Sequence, residues 1–186
     1  KGTVKLSCFD KADLILVIGQ NPGTNHPRML TALSNCKKNG GSIISINPLE
    51  ETAMRRFKHP QNPLHMLGSG TQIADEHIPV RIGGDAALLQ GFAKVMLDCG
   101  DIDRTFIDEQ TIGFEAWKDH IETADWGQIV SQSGISKERI QEIGRAVSKS
   151  KRMIVCWAMG LTQHKNSVGV IQEIANLLLA GGHFGK

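Results

Sequence analysis

The chain has 186 residues, 40% of them hydrophobic and 22% charged, which is core material for one globular domain or two small ones and excludes a disordered tail. Its 21 Lys and Arg against 19 Asp and Glu leave a formal net charge of +2, a field too weak to argue for nucleic acid or an acidic membrane surface. No apolar run nears the roughly 20 residues that cross a bilayer and no charged-then-apolar leader opens the chain, so a soluble cytoplasmic domain is expected.

In chain order, Leu14-Ile15-Leu16-Val17-Ile18 is a short unalternating apolar run, the pattern of a parallel strand covered on both faces. The turn-rich segment Gly19 to Asn25 follows, and Met29, Leu30, Leu33 and Cys36 then recur at helical spacing until Asn39-Gly40-Gly41. Ser42 to Ile46 is a second strand ended by Asn47-Pro48, which completes a βαβ unit with a right-handed crossover. Glu50 to His77 reads as a surface excursion with little regular structure, and its His59, His65 and His77 as solvated. Ile78-Pro79-Val80-Arg81-Ile82 is the third strand expected. Gly83-Gly84-Asp85 turns from it into a helix with the stripe Leu88, Leu89, Phe92, Val95 and Met96, and Asp85 is expected to cap that helix.

A helical insertion is expected near 101–135, its Asp101, Asp103, Asp108 and Glu109 forming a solvated acidic face. Ser136 starts a helix with Ile135 and Ile140 at staple positions and Ile143 and Val147 continuing the buried face. Met153 to Trp157 is the fourth strand, followed by the loop Ala158 to His164 and a last helix with the stripe Val168, Ile171, Ile174, Ala175 and Leu178. The alternation predicts a single α/β domain over residues 1–186 with a three-layer, mostly parallel, Rossmann-like sheet and helices on both faces. Cys8, Cys36, Cys99 and Cys156 have no CxxC spacing, so zinc and iron-sulfur ligation are not expected and reduced thiols in an intracellular setting are.

Sheets of this kind bind ligands at the carboxyl ends of their strands, which here are Gly19 to Asn25, Asn47-Pro48, Gly83 to Asp85 and Gly160 to His164. Backbone N–H groups of the first loop with Asn21, Thr24 and Asn25 suit phosphate oxygens, although Gly19 and Gly23 also serve a plain tight turn. The spacing matches neither GxGxxG nor a P-loop. Asn47 either meets a ribose or simply ends its strand, and Asp85 either accepts from the N1 and N2 donors of a guanine or only caps its helix. His26 and His164 stand where both can face one ligand edge. No nucleophile–base order and no metal cluster stands out, so no catalytic and no metal-ligating residue is expected within the chain.

The segments Ala12 to Pro22 with Asn25-His26-Pro27, and Met159-Gly160-Leu161-Thr162-Gln163-His164, resemble the large subunits of molybdopterin oxidoreductases of the DMSO reductase family, especially the formate dehydrogenase-like branch. The resemblance runs from about Ala12 to Lys186 and implies a domain that holds one of two molybdopterin guanine dinucleotides beside molybdenum or tungsten. It places Gly19, Asn21, Thr24 and Asn25 by the pyrophosphate and ribose, and Asn47 with Pro48 by the ribose and guanine. Gly83, Gly84 and Asp85 would edge the guanine, and Met159, Gly160, Thr162, Gln163 and His164 would approach the pterin end. Two residues depart from the family pattern: Asn47 stands where an Asp is common, and Leu49 where a basic residue is.

The start at Lys1 and the end just beyond a helix suggest a piece of a longer parent. That parent would supply the metal ligand, an iron-sulfur cluster if there is one, a small-molecule substrate site for two-electron chemistry and a surface for an electron-transfer subunit. Its remaining domains would be this segment's partners, and the segment alone would be inactive. An alternative of another class is a non-catalytic diphosphate-binding module such as the central domain of a thiamine-diphosphate enzyme.

Overall fold

A computed structural model describes residues 4–58 and 70–185. The chain divides into two compact units, one formed by residues 1–79 and 154–160, the other by residues 80–153 and 161–186.

The first unit holds a four-stranded parallel sheet in the order β3-β2-β1-β4, from β1 (Leu14–Ile18), β2 (Ser42–Ile46), β3 (Glu76–Ile78) and β4 (Met153–Trp157). Every residue of β1 is buried, as an unalternating apolar strand in mid-sheet requires. Register runs Leu14 to Ser42 through Ile18 to Ile46 between β1 and β2, and Ile44 to Glu76 through Ile46 to Ile78 between β2 and β3. The helices are α1 (Leu6–Phe9), the single turn α2 (Pro22–Asn25), α3 (Pro27–Lys38) and α4 (Thr52–Arg55). Leu30, Leu33 and Cys36 of α3 form a core with Ile15, Val17, Ile43, Met54, Phe57 and Ile73. At the crossover end, Gly41 sits where a Cβ would stand 2.6 Å from the Ala12 carbonyl oxygen, so only glycine lets β2 start this close to β1.

The second unit is helical: α5 (Asp85–Cys99), α6 (Arg104–Gln110), α7 (Phe114–Thr123), α8 (Trp126–Ser133), α9 (Lys137–Lys149) and α11 (Ser167–Ala180), with the turn α10 (Met159–Thr162) leading in from the first unit. Leu88, Leu89, Phe92, Val95 and Met96 of α5 are buried as expected, and Gly144 of α9 lets that helix close on Val95. The Ser136 hydroxyl accepts from the Arg139 N–H at 3.3 Å, capping α9 as its sequence foretells. Ser136→Ala should therefore lower stability by about 1 kcal/mol, measured as a fall in the denaturant midpoint with an unchanged m-value.

Several expectations are corrected. The third strand is Glu76–Ile78, not 78–82: Pro79 has no N–H to give, and pairing ends where the Ile78 carbonyl accepts from Asn47. The segment 50–77 is more ordered than expected, since it carries α4, an antiparallel bridge between Phe57 and Thr71, and β3. His77 is half-buried in β3 rather than solvated, while His59 and His65 lie outside the described residues. Asp85 is the first residue of α5, with Gly84 at the cap and no side-chain cap hydrogen bond. The stripe of α11 is Val170, Ile174, Leu177 and Ala180, with Val168 exposed.

The acidic face near 101–109 is solvated only in part: Asp108 and Glu109 are exposed, whereas Asp101 and Asp103 are half-buried. Asp103 caps α6 by accepting from the Phe106 N–H at 3.0 Å, Asp101 accepts from the Ser148 hydroxyl at 2.7 Å, and Asp108 pairs with Arg104. All four cysteines are free thiols, and burial pushes Cys156 up to about 12. Among the described residues no helix is long and apolar enough to cross a membrane.

Candidate functional site

In the first unit, β1 and β2 end side by side, and their C-terminal tips bring together residues that lie far apart in sequence. Gly19 leaves β1 with φ 57°, the left-handed region that a side chain disfavours. Its N–H donates to the Ile46 carbonyl at 2.9 Å, and its carbonyl accepts from the Gly160 N–H at 3.0 Å. A Cβ at Gly160 would lie 2.5 Å from the Gly19 oxygen and 2.6 Å from its Cα, so backbone meets backbone here with no room between. The Gly19 N–H is thus committed to the end of β2.

Asn21 is held from two sides. Its Oδ1 accepts from the Thr24 N–H at 3.1 Å, which caps α2, and its Nδ2 donates to Glu51. The other oxygen of Glu51 accepts from Asn47 Nδ2 at 3.0 Å. One carboxylate thus links the tips of β1 and β2. Asn47 is half-buried and Pro48 exposed, and the Thr24, Asn25 and His26 side chains are exposed around the α2 turn.

Gln20, 6% exposed, donates from Nε2 to His26 Nδ1 at 3.2 Å and to the Met29 sulfur at 3.3 Å. Its Oε1 is buried without a partner among the described residues. An orphaned buried acceptor is costly, and it marks a place where an incoming donor would be stabilised.

In the second unit, Gly83 is exposed with φ 82° and open space around it. Gly84 is buried, and a Cβ there would stand 2.4 Å from the Gln132 carbonyl oxygen. Asp85 is 6% exposed at the N-terminus of α5, and burial holds its carboxyl above the usual carboxylate range, opposed by its own backbone hydrogen bond and by His164. His164 is half-buried, whereas Thr162 and Gln163 are exposed. Met159 is 60% exposed, a large thioether left in solvent.

Gln20 and Glu51 were the residues that reading the sequence missed. Gln20 hides within a turn-forming string, and Glu51 within a run of charges. The one available signal was the spacing of four between Asn47 and Glu51, which lets an acid fold back on the amide that ends β2. The structure joins Gly19 with Gly160, and Asn21 with Asn47, and it sets Asp85 in electrostatic reach of His164. Among the described residues no group of three or more His, Cys, Asp or Glu could hold a metal ion.

Comparison with known proteins gives a consistent pattern. The family profile described as "Molybdopterin oxidoreductase" matches residues 2–186. Protein YdeP of Escherichia coli (strain K12) is 43% identical over 197 residues, spanning 100% of this chain and 26% of that protein. Formate dehydrogenase H of the same strain is 29% identical over 179 residues, covering 96% of this chain and 22% of that protein. Among solved structures, acetylene hydratase from Pelobacter acetylenicus has the same fold, with a TM-score of 0.78 and 21% identity over 94% of this chain and 22% of that one. The chain spans about a quarter of the length of the curated relatives it matches first.

Proposed function

Because the chain belongs to the molybdopterin oxidoreductase family, we propose that it is the α/β segment that cradles a molybdopterin guanine dinucleotide in a molybdenum or tungsten oxidoreductase resembling formate dehydrogenase. Family membership sets aside the thiamine-diphosphate alternative. When bound, the metal–dithiolene group supplies the two-electron redox chemistry on a small molecule, and this chain's part is binding, orientation and charge. Substrate turnover, an electron-transfer partner and a cytoplasmic setting belong to the same reading of the intact protein.

The observation that carries the proposal is the Glu51 carboxylate between Asn21 and Asn47. Doubly wound nucleotide sites use an acid at the end of the second strand to accept from ribose hydroxyls, and Asn47 cannot supply that charge. Glu51 supplies it from one turn further on. The residues fit the group: a carboxylate and two amides offer ribose contacts, and the Gln20 Oε1 orphan offers a place for one more donor. Thr24 and Asn25 add exposed polar groups for the pyrophosphate. In the second unit Asp85, ionised, accepts from the N1 and N2 donors of guanine, and Gly83 leaves open space for a flat base. In the first unit Met159 and Gly160 stand at the end of β4, where the resemblance puts the pterin end.

Metal and pterin analysis of the purified intact protein, wild type against Asp85→Asn, tests this reading. Wild type should carry molybdenum or tungsten with a guanine dinucleotide, and the variant should lose about tenfold in cofactor occupancy, since an amide cannot accept twice without also donating. Equal occupancy would remove the guanine role, and absence of any pterin would remove the proposal.

The same variant has a pH signature in protein stripped of cofactor. Burial raises the folded pKa of Asp85 above its unfolded value of 3.8, so its stabilising contribution is full below that pH and is lost as pH climbs through the raised value. Asp85→Asn should therefore melt no lower than wild type at pH 7, and its relative advantage should shrink toward pH 4. Differential scanning calorimetry at the two pH values measures this.

A further inference from the structure

Residues 81–85, in the second unit, lead into α5 as a turn that is braced from outside. The Gly84 N–H donates to the Arg81 carbonyl at 2.8 Å, which puts Ile82 and Gly83 at the two central positions. Gly83 takes the φ of 82° that the third position of a type II turn requires. The brace is the C-terminal end of α8. The Arg81 N–H donates to the Ser133 carbonyl at 2.9 Å, Arg81 Nη1 donates to the Ser131 carbonyl at 2.7 Å, and Gly84 approaches the Gln132 carbonyl too closely for any side chain. A guanidinium placed there also meets the negative end of the helix dipole.

On this braced turn Ile82 is 79% exposed. Its surroundings are unusual for a surface isoleucine. Val80 before the turn and Gly84 and Asp85 after it are buried, while Gly83, next to Ile82, has nothing within 4 Å of where a Cβ would stand. A β-branched side chain, stiff at χ1, is therefore held in solvent beside bare backbone, three residues before a buried carboxyl. A scattered apolar side chain at the surface needs no ligand to explain it, but this one shares a fixed corner with an acid and an open shelf. Apolar surface beside bare backbone suits the face of a flat ring, and a carboxylate suits the donors on the ring's edge. Small-molecule sites join apolar wall and a few placed polar groups in this way.

We propose that Ile82 is the residue against which the base of the bound dinucleotide lies face-on, with Arg81 as the positioning residue that holds it there through the end of α8. This rests on the dinucleotide reading, in which Asp85 accepts from the edge of the same base, and it adds a division of labour. Asp85 reads which base is present, and Ile82 supplies affinity that does not depend on the base's edge.

Two measurements on the intact protein test it: the rate at which the loaded protein releases its pterin on dilution, followed by fluorescence, and the melting temperature of the same protein stripped of cofactor. Ile82→Ala should release about tenfold faster than wild type, since it gives up most of the apolar area a ring would cover. Ile82→Leu, which keeps that area, should stay within about twofold. Both should melt with wild type when stripped, because a side chain this exposed adds little to the fold. Arg81→Ala should also speed release about tenfold, and Arg81→Lys, which can still donate to the Ser131 carbonyl, should recover most of the loss. Wild-type release from Ile82→Ala would overturn the proposal. So would lowered melting of stripped Ile82→Ala, which would mean that another stretch of the parent covers the side chain, and wild-type release from Arg81→Ala would remove the positioning role. A wild type without any pterin removes the dinucleotide reading itself, whereas a loaded wild type whose Ile82 variants release at its own rate removes only this inference.

Discussion

Glu51→Ala is expected to lower the molybdenum (or tungsten) and pterin content of the purified intact protein by about tenfold or more, a larger loss than any single exposed contact of the α2 turn would give. The carboxylate accepts from Asn21 and Asn47 at once. Its removal takes away the charge proposed for the ribose and also releases both amides, which are half-buried and must then find water or each other. Leaving a buried donor unmatched costs about 1–3 kcal/mol, a factor of about 5 to 150 in affinity. Glu51→Gln separates the two effects. It keeps one acceptor oxygen and the shape but not the charge, so its loss should be smaller than that of alanine. The measurement is metal by mass spectrometry and released pterin by fluorescence, each per mole of protein. Wild-type content in Glu51→Ala would show that the carboxylate only braces the two strand ends.

Gly160→Ala should be the most destabilising conservative change at the strand tips. The added methyl would stand 2.5 Å from the Gly19 carbonyl oxygen and 2.6 Å from its Cα, and neither atom belongs to a flexible side chain that could turn away. Gly19 cannot retreat easily, because its N–H is bonded to Ile46 and its φ of 57° is already one that few residues adopt. Overpacking of this kind costs about 1–3 kcal/mol, and the lost hydrogen bond from Gly160 to Gly19 adds to it. Gly169→Ala is the control: it lies inside α11 with nothing within 4 Å of the added Cβ, so it should be neutral or stabilising by up to about 1 kcal/mol. Denaturant titration of the two variants with wild type measures the contrast. A Gly160→Ala midpoint equal to that of wild type would mean that the β1 and β4 ends are not locked together.

The strands legible in the sequence were those with a run of three or more buried residues. β1, β2 and β4 are short apolar runs bounded by turn formers, and their limits fall where the residues change character. β3 was not legible, because Glu76 and His77 are polar and the apolar string that follows contains Pro79, which cannot donate to a ladder. A strand defined by its neighbour's carbonyls leaves little trace in its own side chains. Helix α5 was read correctly from its stripe, yet the role of Asp85 changed from cap to buried first-turn acid because Gly84 took the cap. The candidate site was legible as glycines and amides at strand ends and illegible as a network, since Glu51 gains meaning only when α4 folds back toward the end of β2. The acids near 101–109 were legible in part: Asp108 and Glu109 stay on an exposed face, while Asp103 and Asp101 are spent on a helix cap and a serine, which only the fold reveals.

The position of β4 sets how late in synthesis the sheet can close. Strand β1 lies between β2 and β4, so the nascent protein carries an apolar ribbon with one row of unpaired N–H and C=O groups until residues beyond 153 leave the ribosome. The second unit's first stretch, residues 80–153, is inserted in that interval. Exposed ribbon edges of this kind recruit other chains. A chain that ends within α9 should therefore aggregate more readily than one that includes β4.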